Sequence, residues 1–94
     1  MRGTKLKTLE LIGTNFTDSD SSEIAKAIYI ELDKEEGKST EDILYYIKGD
    51  PVWSSKWNKL EPDTRPIYFM NALNVLERIE LIRRKKDNKY YRTW

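Results

Sequence analysis

The last thirty residues constrain the fold most, because their apolar pattern changes there from the period of a helix to that of a strand. At 100° per residue, the apolar residues of 65–79 fall on one arc, namely Phe69, Ala72, Leu73, Leu76 and Ile79, with Met70 at its edge. The stretches 81–86 and 89–94 are typical of two strands, and Asp87-Asn88 suits a two-residue turn between them. This order predicts a helix followed by a C-terminal β-hairpin.

The same thirty residues are strongly basic. They hold eight Lys and Arg against three acidic residues, a net charge of +5, whereas residues 1–64 hold nine basic and thirteen acidic residues, a net charge of −4. The overall charge of +1 therefore conceals a molecule with one basic end. Such an end is typical of a protein that binds a nucleic-acid duplex.

Composition narrows the class of protein. Three Trp, six Tyr and two Phe among 94 residues are enough large side chains for one small domain. No apolar run approaches the length of a membrane span, and no signal-peptide core follows the first residues, so we expect a cytoplasmic, intracellular protein (of the host cell, if viral) without a membrane partner.

The residues that most enzymes need are missing. The chain has no Cys and no His, which excludes disulfides, thiolate or imidazole metal ligands and an imidazole base. Its paired carboxylates lie in linkers or at helix ends, where the helix dipole accounts for them. We therefore expect no catalytic residue, no metal, no cofactor and no small-molecule substrate.

Upstream of the basic end, the pattern predicts two further helices. Residues 4–12 fit a short helix or an extended segment equally well, and 14–22 read as a polar linker. Asp20 and Glu23 have the spacing of a capping box, which predicts a helix that ends at a left-handed Gly37. Ser39 or Thr40 then predicts the cap of a second helix, with a buried stripe formed by Ile43, Leu44 and Ile47.

That second helix is expected to end at residues 49–51, and the next stretch is less regular. Within 51–63, Trp53 and Trp57 lie four residues apart, which favours a single short amphipathic turn of helix. The following helix is expected to start after Asp63 and Thr64, with Pro66 in its first turn.

The order of helix, short link, helix, helix and basic hairpin resembles the winged helix-turn-helix family of small transcription regulators. The resemblance is carried by Ser-Thr-Glu-Asp-Ile-Leu at 39–44 and by the run from 71 to 82, and it covers residues 21–94. It implies an α+β, mainly α fold, with a three-helix core, a C-terminal β-hairpin wing and a short N-terminal extension (residues 1–20) that could serve as a dimer arm. In this family the third helix enters the major groove, and the wing contacts backbone or minor groove.

Two features depart from the family pattern. Glu80 stands where the family usually has Gly between the third helix and the wing, and a left-handed Glu would cost roughly 1 kcal/mol. The link between the second and third helices is normally tight, yet here about thirteen residues intervene.

The third helix offers a candidate reading face opposite its apolar arc, formed by Ile67, Asn71, Asn74 and Arg78. Asn can bond adenine, Arg can bond guanine, and Ile can meet a thymine methyl group. A solvated polar face explains the same pattern, because every surface helix has one.

The hairpin supplies the candidate phosphate contacts. A two-residue turn would place Lys86 opposite Lys89 and Arg83 opposite Arg92, and like charges in such positions destabilise a sheet unless a polyanion neutralises them. The alternative is that these charges protect an edge strand from aggregation. The residues predicted to contact phosphates are Arg65, Arg83, Arg84, Lys85, Lys86, Lys89 and Arg92. Tyr90 is expected to pack on the body, and Tyr91 to be free to meet a backbone or base.

The leading hypothesis is sequence-specific binding of double-stranded DNA by a small transcriptional regulator, with a homodimer on two half-sites as one arrangement. A second hypothesis is a winged-helix module for protein–protein interaction, using the acidic helices and the Trp53/Trp57 link. A third is single-strand binding through Tyr91 and the two Trp, although such Trp pairs are more often core.

Overall fold

In a computed structural model of the chain, the backbone is described for residues 2–93 and the side chains for residues 7–93. These residues form five helices and two strands: α1 (Arg2–Thr14), α2 (Ser19–Glu31), α3 (Thr40–Gly49), α4 (Pro51–Asn58), α5 (Arg65–Arg78), β1 (Ile82–Arg84) and β2 (Tyr90–Arg92). The two strands pair antiparallel. A mainly helical α+β fold with a C-terminal hairpin is thus confirmed, and its order is compatible with a winged helix.

Helix α2 lies at the centre and contacts α1, α3, α4 and α5. It is buried on most of its circumference, through residues that include Ile24, Ala25, Ala27, Ile28 and Tyr29. A helix that is apolar on most sides gains stability only when other elements surround it. This explains why the remaining helices are arranged around α2.

Both predicted ends of α2 are wrong. Its N-cap is Asp18, whose carboxylate accepts a hydrogen bond from the backbone N–H of Ser21 at 2.9 Å, so Asp20 lies inside the first turn. The helix ends at Glu31, six residues before Gly37, and no glycine among residues 2–93 has a positive φ.

Residues 32–38 instead run beside β2. Arg92 donates its backbone N–H to the carbonyl of Asp33 at 3.0 Å, and Lys38 and Tyr90 exchange two backbone hydrogen bonds of 3.1 and 2.8 Å. The hairpin is therefore anchored along its β2 edge to the segment between α2 and α3.

Helices α3 and α5 agree with the sequence patterns, except that Leu44 of the predicted buried stripe on α3 is half-buried. Ser39 caps α3 in a capping box with Asp42, and α5 begins at Arg65 with Pro66 in its first turn. On α5 the predicted core residues are buried, except that Ile79 is half-buried, and Val75 is buried as well. The predicted second strand is shorter than expected, and its last residue, Trp94, lies outside the described residues.

The irregular link contains a helix of eight residues, α4, where a single turn was expected. Asp50 caps it by accepting hydrogen bonds from the backbone N–H groups of Val52 at 2.8 Å and Trp53 at 3.1 Å. Trp57 is buried with its ring edge-on to Phe69, at 6.3 Å between centroids. Helix α4 packs on α2 and α3, and within the described chain α3 and α5 make no extended contact with each other.

The N-terminal segment is helical, which decides between the two predicted conformations. Helix α1 packs on α2, and its Thr8 and Ile12 are buried. Ile12 belongs to the same core as the central helix. A role for residues 1–20 as a dimer arm stays a prediction. Among the helices of residues 2–93, none is long and apolar enough to cross a membrane.

Glu80 provides the turn from α5 into the hairpin and adopts the left-handed conformation, with φ of 65°. Its N–H bonds the carbonyl of Glu77, and the N–H of Leu81 bonds the carbonyl of Leu76, both at 3.0 Å. These two bonds form a Schellman motif, which usually has Gly at the left-handed position. The chain therefore forms this motif with Glu80 at the position that usually holds Gly.

We expect Glu80→Gly to raise the free energy of unfolding by about 0.5–1 kcal/mol, because Gly relieves the left-handed strain at some cost in unfolded-chain entropy. The measurement is urea unfolding at neutral pH. Glu77→Gly, within α5, is the matched control and should lower stability by about 1 kcal/mol. Equal losses in both variants would show that Glu80 carries no conformational strain.

Candidate nucleic-acid interface

The register of the hairpin differs by one residue from the predicted one. The facing pairs are Ile82 with Arg92, Arg83 with Tyr91, and Arg84 with Tyr90. Lys85 donates its N–H to the carbonyl of Lys89 at 3.1 Å, which leaves a loop of three residues, 86–88. Asn88 alone in this loop has a positive φ, 64°, so the loop is a turn followed by one left-handed residue.

This register removes both predicted pairs of like charges. Arg83 faces Tyr91 and Arg92 faces Ile82, so those two pairs are wrong, while Lys85 and Lys89 lie opposite each other where the loop begins and ends. A two-residue loop would need both Asp87 and Asn88 to be left-handed, and only Asn88 is. The Asp87 carboxylate instead accepts a hydrogen bond of 3.0 Å from the backbone N–H of Lys89. This bond fixes the end of the loop that leads into β2.

Tyr91 is buried, which contradicts the prediction that it is free. Its hydroxyl donates a hydrogen bond of 2.7 Å to the Asp87 carboxylate, and the ammonium group of Lys85 lies 4.1 Å from the ring centroid. The hydrogen bond from Tyr91 is the main cause that lowers the pKa of Asp87, and it raises the pKa of Tyr91. The tyrosine therefore organises the hairpin loop. Tyr90 is buried in the core, as predicted.

Arg92 and Arg65 lie against the body of the protein. The guanidinium carbon of Arg92 is 5.4 Å from the ring centroid of Tyr29, and the side chain is half-buried. Backbone hydrogen bonds from Glu36 and Glu35 lower the pKa of the neighbouring Asp33, and the charge of Arg92 adds to this. Arg65, also half-buried, donates a hydrogen bond from Nη2 to the carbonyl of Asn58 at 3.3 Å.

The remaining predicted cations are exposed, namely Arg78, Arg83, Arg84, Lys85, Lys86 and Lys89. Among residues 7–93, the one ion pair within 4.0 Å joins Lys38 to Glu36, so these six are not paired with a carboxylate. Arg83 and Arg84 do share a small cleft with Glu77 and Glu80. The tip of the hairpin therefore carries three lysines, Lys85, Lys86 and Lys89, and one carboxylate, Asp87.

The exposed face of α5 holds the predicted reading residues. Ile67, Asn71, Asn74 and Arg78 are all exposed, which confirms the predicted orientation of the helix, and 67% of Ile67 is accessible to solvent. Met70 is also exposed, and with Pro66 it joins Ile67, Asn71 and Asn74 around a shallow depression. The sequence pattern had placed Met70 at the edge of the core.

The hairpin tip also approaches the start of α3. Hydrogen bonds from the N–H and the hydroxyl of Ser39 lower the pKa of Asp42, and the charges of Lys38 and Lys89 contribute to the same shift. Lys89 is thus near enough to the cap of α3 to affect it. Charges on the hairpin and on the segment between α2 and α3 therefore act on the same carboxylate, Asp42.

No cluster of three or more Asp or Glu side chains that could hold a metal ion occurs among the described residues. The candidate interface consists of a polar helix face and a basic hairpin. No protein-family model, curated protein or solved structure matches this chain. A functional assignment must therefore rest on geometry and charge.

Gly37 is the position where this arrangement tolerates a side chain least. A Cβ atom there would lie 2.5 Å from Cζ of Tyr91 and 2.7 Å from Cβ of Lys89. We expect Gly37→Ala to lower the free energy of unfolding by about 1–3 kcal/mol, as overpacking does, because β2 must move away from residues 32–38. Urea unfolding gives the cost, and amide exchange at Tyr90 reports whether the anchoring bonds open.

Gly49 provides the matched control for that substitution. It is helical, and nothing lies within 4 Å of a Cβ added there. Gly49→Ala should therefore be neutral or stabilise by up to about 1 kcal/mol. Similar losses at both glycines would contradict a specific contact between Gly37 and Tyr91.

Proposed function

We propose that this protein binds double-stranded DNA in a sequence-specific manner and acts as a small transcriptional regulator. Helix α5 would lie in the major groove, and the hairpin would act as a wing on the phosphates. The observation that carries the proposal is the combination of an exposed Asn71, Asn74 and Arg78 on α5 with unpaired cations on the hairpin that follows it directly.

The dimensions of α5 suit this role. From Ile67 to Arg78 the face extends about 16 Å, at 1.5 Å per residue. The major groove is about 12 Å wide and admits one helix, so a face of this length can span several base edges. Asn71 and Asn74 suit adenine, and Arg78 suits guanine. Ile67 and Met70 add apolar surface for thymine methyl groups.

The hairpin supports the same proposal through charge. Lys85, Lys86 and Lys89 lie at the tip without a carboxylate partner within 4.0 Å in the described structure. Cations that protect an edge strand are needed along its exposed edge. The outer edge of β2 is bonded at Lys38, and the free edge of β1 carries Arg83 and Arg84, so edge protection accounts for little of the charge at the tip.

The test is titration of a random duplex of about 20 base pairs at about 50 and 200 mM salt, followed by fluorescence anisotropy. With four to six phosphate contacts, the logarithm of the affinity should fall with the logarithm of the salt concentration with a slope of about −4 to −5. Absence of binding at low salt, or affinity that salt does not change, would remove the proposal. The stoichiometry on a selected site would separate a monomer from a homodimer.

Base reading is tested separately from phosphate binding. Selection from a random pool should give a preferred site, and Asn71→Ala should relax the preference at one position, with a loss of about 1–3 kcal/mol at that site. Asn58→Ala, an exposed Asn at the end of α4, is the control and should leave the site unchanged.

A second proposal, protein–protein interaction, is favoured by a different observation. Tyr45 on α3 and Val52 on α4 are large apolar side chains that are 82% and 58% exposed. Tyr45 borders a shallow surface that also contains Glu31, Asp42 and Asp50. Trp57 is buried, so of the two tryptophans that this hypothesis assigned to the contact only the half-buried Trp53 is accessible to a partner. Loss of partner capture in Tyr45→Ala, with unchanged DNA affinity, would support it.

Single-strand binding is a weaker candidate. It depended on Tyr91 and the tryptophan pair as stacking surfaces. Tyr91 and Trp57 are both buried, so of the three stacking residues only the half-buried Trp53 remains. Competition between single-stranded and duplex probes in the same titration separates this activity from duplex binding.

A further inference from the structure

A groove of about 420 Å³ lies between α3 and α5. Its walls are mainly apolar and include Leu44, Trp57, Phe69 and Met70. Thr40, Lys48 and Arg65 provide its polar atoms. A volume of this size lies within the range of about 300–1,000 Å³ that is typical of sites for small organic ligands.

The groove exists because α4 lengthens the link between α3 and α5. Thr40, Leu44 and Lys48 recur every four residues, so one stripe of α3 faces the groove. The edge-on contact between Trp57 and Phe69 closes its inner side. Side chains packed in this way hold the cavity open, which favours a preformed site over a transient gap.

The charge of the groove has one sign. Its charged lining residues are Lys48 and Arg65, and no acidic residue among 7–93 lines it. In the described structure, Arg65 uses one of its N–H groups, on Nη2, for a hydrogen bond to Asn58, and its Nε is buried without a partner, so three N–H groups on Nη1 and Nη2 remain for a ligand. Neither cation has a carboxylate partner within 4.0 Å among residues 7–93.

The start of α5 adds to this positive potential. Arg65 and Pro66, the first residues of α5, line the groove. The N–H of Arg65 donates to the carbonyl of Glu61 at 3.2 Å and Pro66 has no N–H, so at these two residues the helix end acts through its dipole and not through free N–H groups. The N-terminus of a helix carries a partial positive charge that favours an anion. An apolar groove with two cations and a helix N-terminus is complementary to a molecule that joins an apolar body to an anionic group.

We propose that this groove binds an amphipathic organic anion, a carboxylate with an apolar body of about eight carbons. The apolar body lies on Leu44, Trp57, Phe69 and Met70, and the carboxylate is held by Arg65 and Lys48. The predominance of apolar atoms favours such a ligand over a nucleic-acid phosphate. The groove shares Pro66 and Met70 with the depression on the candidate reading face of α5, but it does not depend on the proposed DNA binding, since a protein without affinity for DNA would have the same groove.

The probe is octanoate, titrated into the intact protein and followed by calorimetry and by tryptophan fluorescence, because Trp57 lines the groove. Octanol tests the need for the charge, and we expect octanoate to bind at least about tenfold more tightly. Hexanoate and decanoate test the apolar body. Two methylene groups should change the affinity by about tenfold, given their burial free energy.

Three single variants localise the site. Arg65→Gln and Lys48→Gln should each weaken octanoate at least about fivefold and leave octanol unchanged. Lys59→Gln, an exposed cation at the end of α4 outside the groove, is the matched control and should have no effect. Met70→Glu adds a carboxylate at a half-exposed position of the groove and should abolish octanoate binding, even if Arg65→Gln disturbs the start of α5.

Several results would overturn the proposal. They are equal binding of octanoate and octanol, independence of chain length, and loss of affinity in Lys59→Gln equal to that in Lys48→Gln. Self-association with increasing protein concentration that prevents octanoate binding would assign the groove to a second copy of the chain. Fluorescence changes that persist in Met70→Glu would place the ligand elsewhere.

Discussion

Replacing Trp57 with Ala should lower the free energy of unfolding by about 3–5 kcal/mol, the usual cost of removing a buried aromatic side chain. Trp57 is only 5% exposed and contacts Phe69 edge-on, so the substitution leaves a cavity between α4 and α5. The groove between α3 and α5 would open into this cavity. For a domain of this size the midpoint of thermal unfolding should fall by at least about 12 °C.

Thermal unfolding followed by circular dichroism measures this effect. The matched control is Trp53→Ala, the same substitution one turn earlier on α4, at a half-buried position. Its expected cost is about 1 kcal/mol. If both variants lost the same stability, Trp57 would not be the residue that joins α4 to the core.

The same pair of variants bears on the protein–protein hypothesis. A buried Trp57 should affect partner binding only through unfolding, whereas Trp53 has accessible surface of its own. A partner lost in a folded Trp57→Ala protein would contradict the burial. A partner lost in Trp53→Ala alone would locate the contact on the outer side of α4.

The helices with strong local signals could be predicted from the sequence. Ser39 and Asp42 form the capping box of α3, and Pro66 starts α5. Both signals depend on neighbouring residues only, since a capping side chain bonds a backbone group three positions away. Periodicity on α5 also predicted which side chains face solvent. The exposed Asn71 and Asn74 follow from that alone.

Gly37 shows why other elements were predicted wrongly. A glycine after an amphipathic stretch is a good helix C-cap, yet Gly37 has no left-handed φ and its small size serves Tyr91, 54 positions further along the chain. No local pattern carries that contact. The cap of α2 is a second example: Asp18 and Asp20 both suit an N-cap, and Asp18 is the one that caps the helix.

The sequence predicted which residues of the candidate site carry charge, but it did not predict which of them face each other. The cations were evident, but their pairing depended on how many loop residues become left-handed, and Asn88 alone does. A shift of one residue in register moves every facing pair, so Arg83 faces Tyr91. Tyr91 is buried because its ring packs against Gly37 and lies under the ammonium group of Lys85. The groove between α3 and α5 had no signal, because its walls come from three separate helices.

The largest effect on DNA binding should come from the hairpin tip. We expect Lys85, Lys86 and Lys89, changed together to Gln, to weaken binding of a random duplex by about 100-fold at low salt, because three phosphate contacts and their released counterions are lost. The salt slope should become less steep by about 2.7, which is about 0.9 for each contact. Anisotropy titrations at several salt concentrations measure both quantities on the same protein.

The control has the same change in net charge at other positions. Changing Lys34, Lys56 and Lys59 together to Gln also removes three positive charges, at residues outside the hairpin and α5. Long-range attraction alone should change affinity less than about threefold, since salt screens charges beyond about 10 Å.

Equal weakening by the two triple variants would mean that net charge, and not the hairpin, attracts DNA. A hairpin variant with an unchanged salt slope would show that the tip does not contact phosphates. Because phosphate contacts carry no sequence information, the hairpin variant should keep the preferred site that Asn71→Ala relaxes.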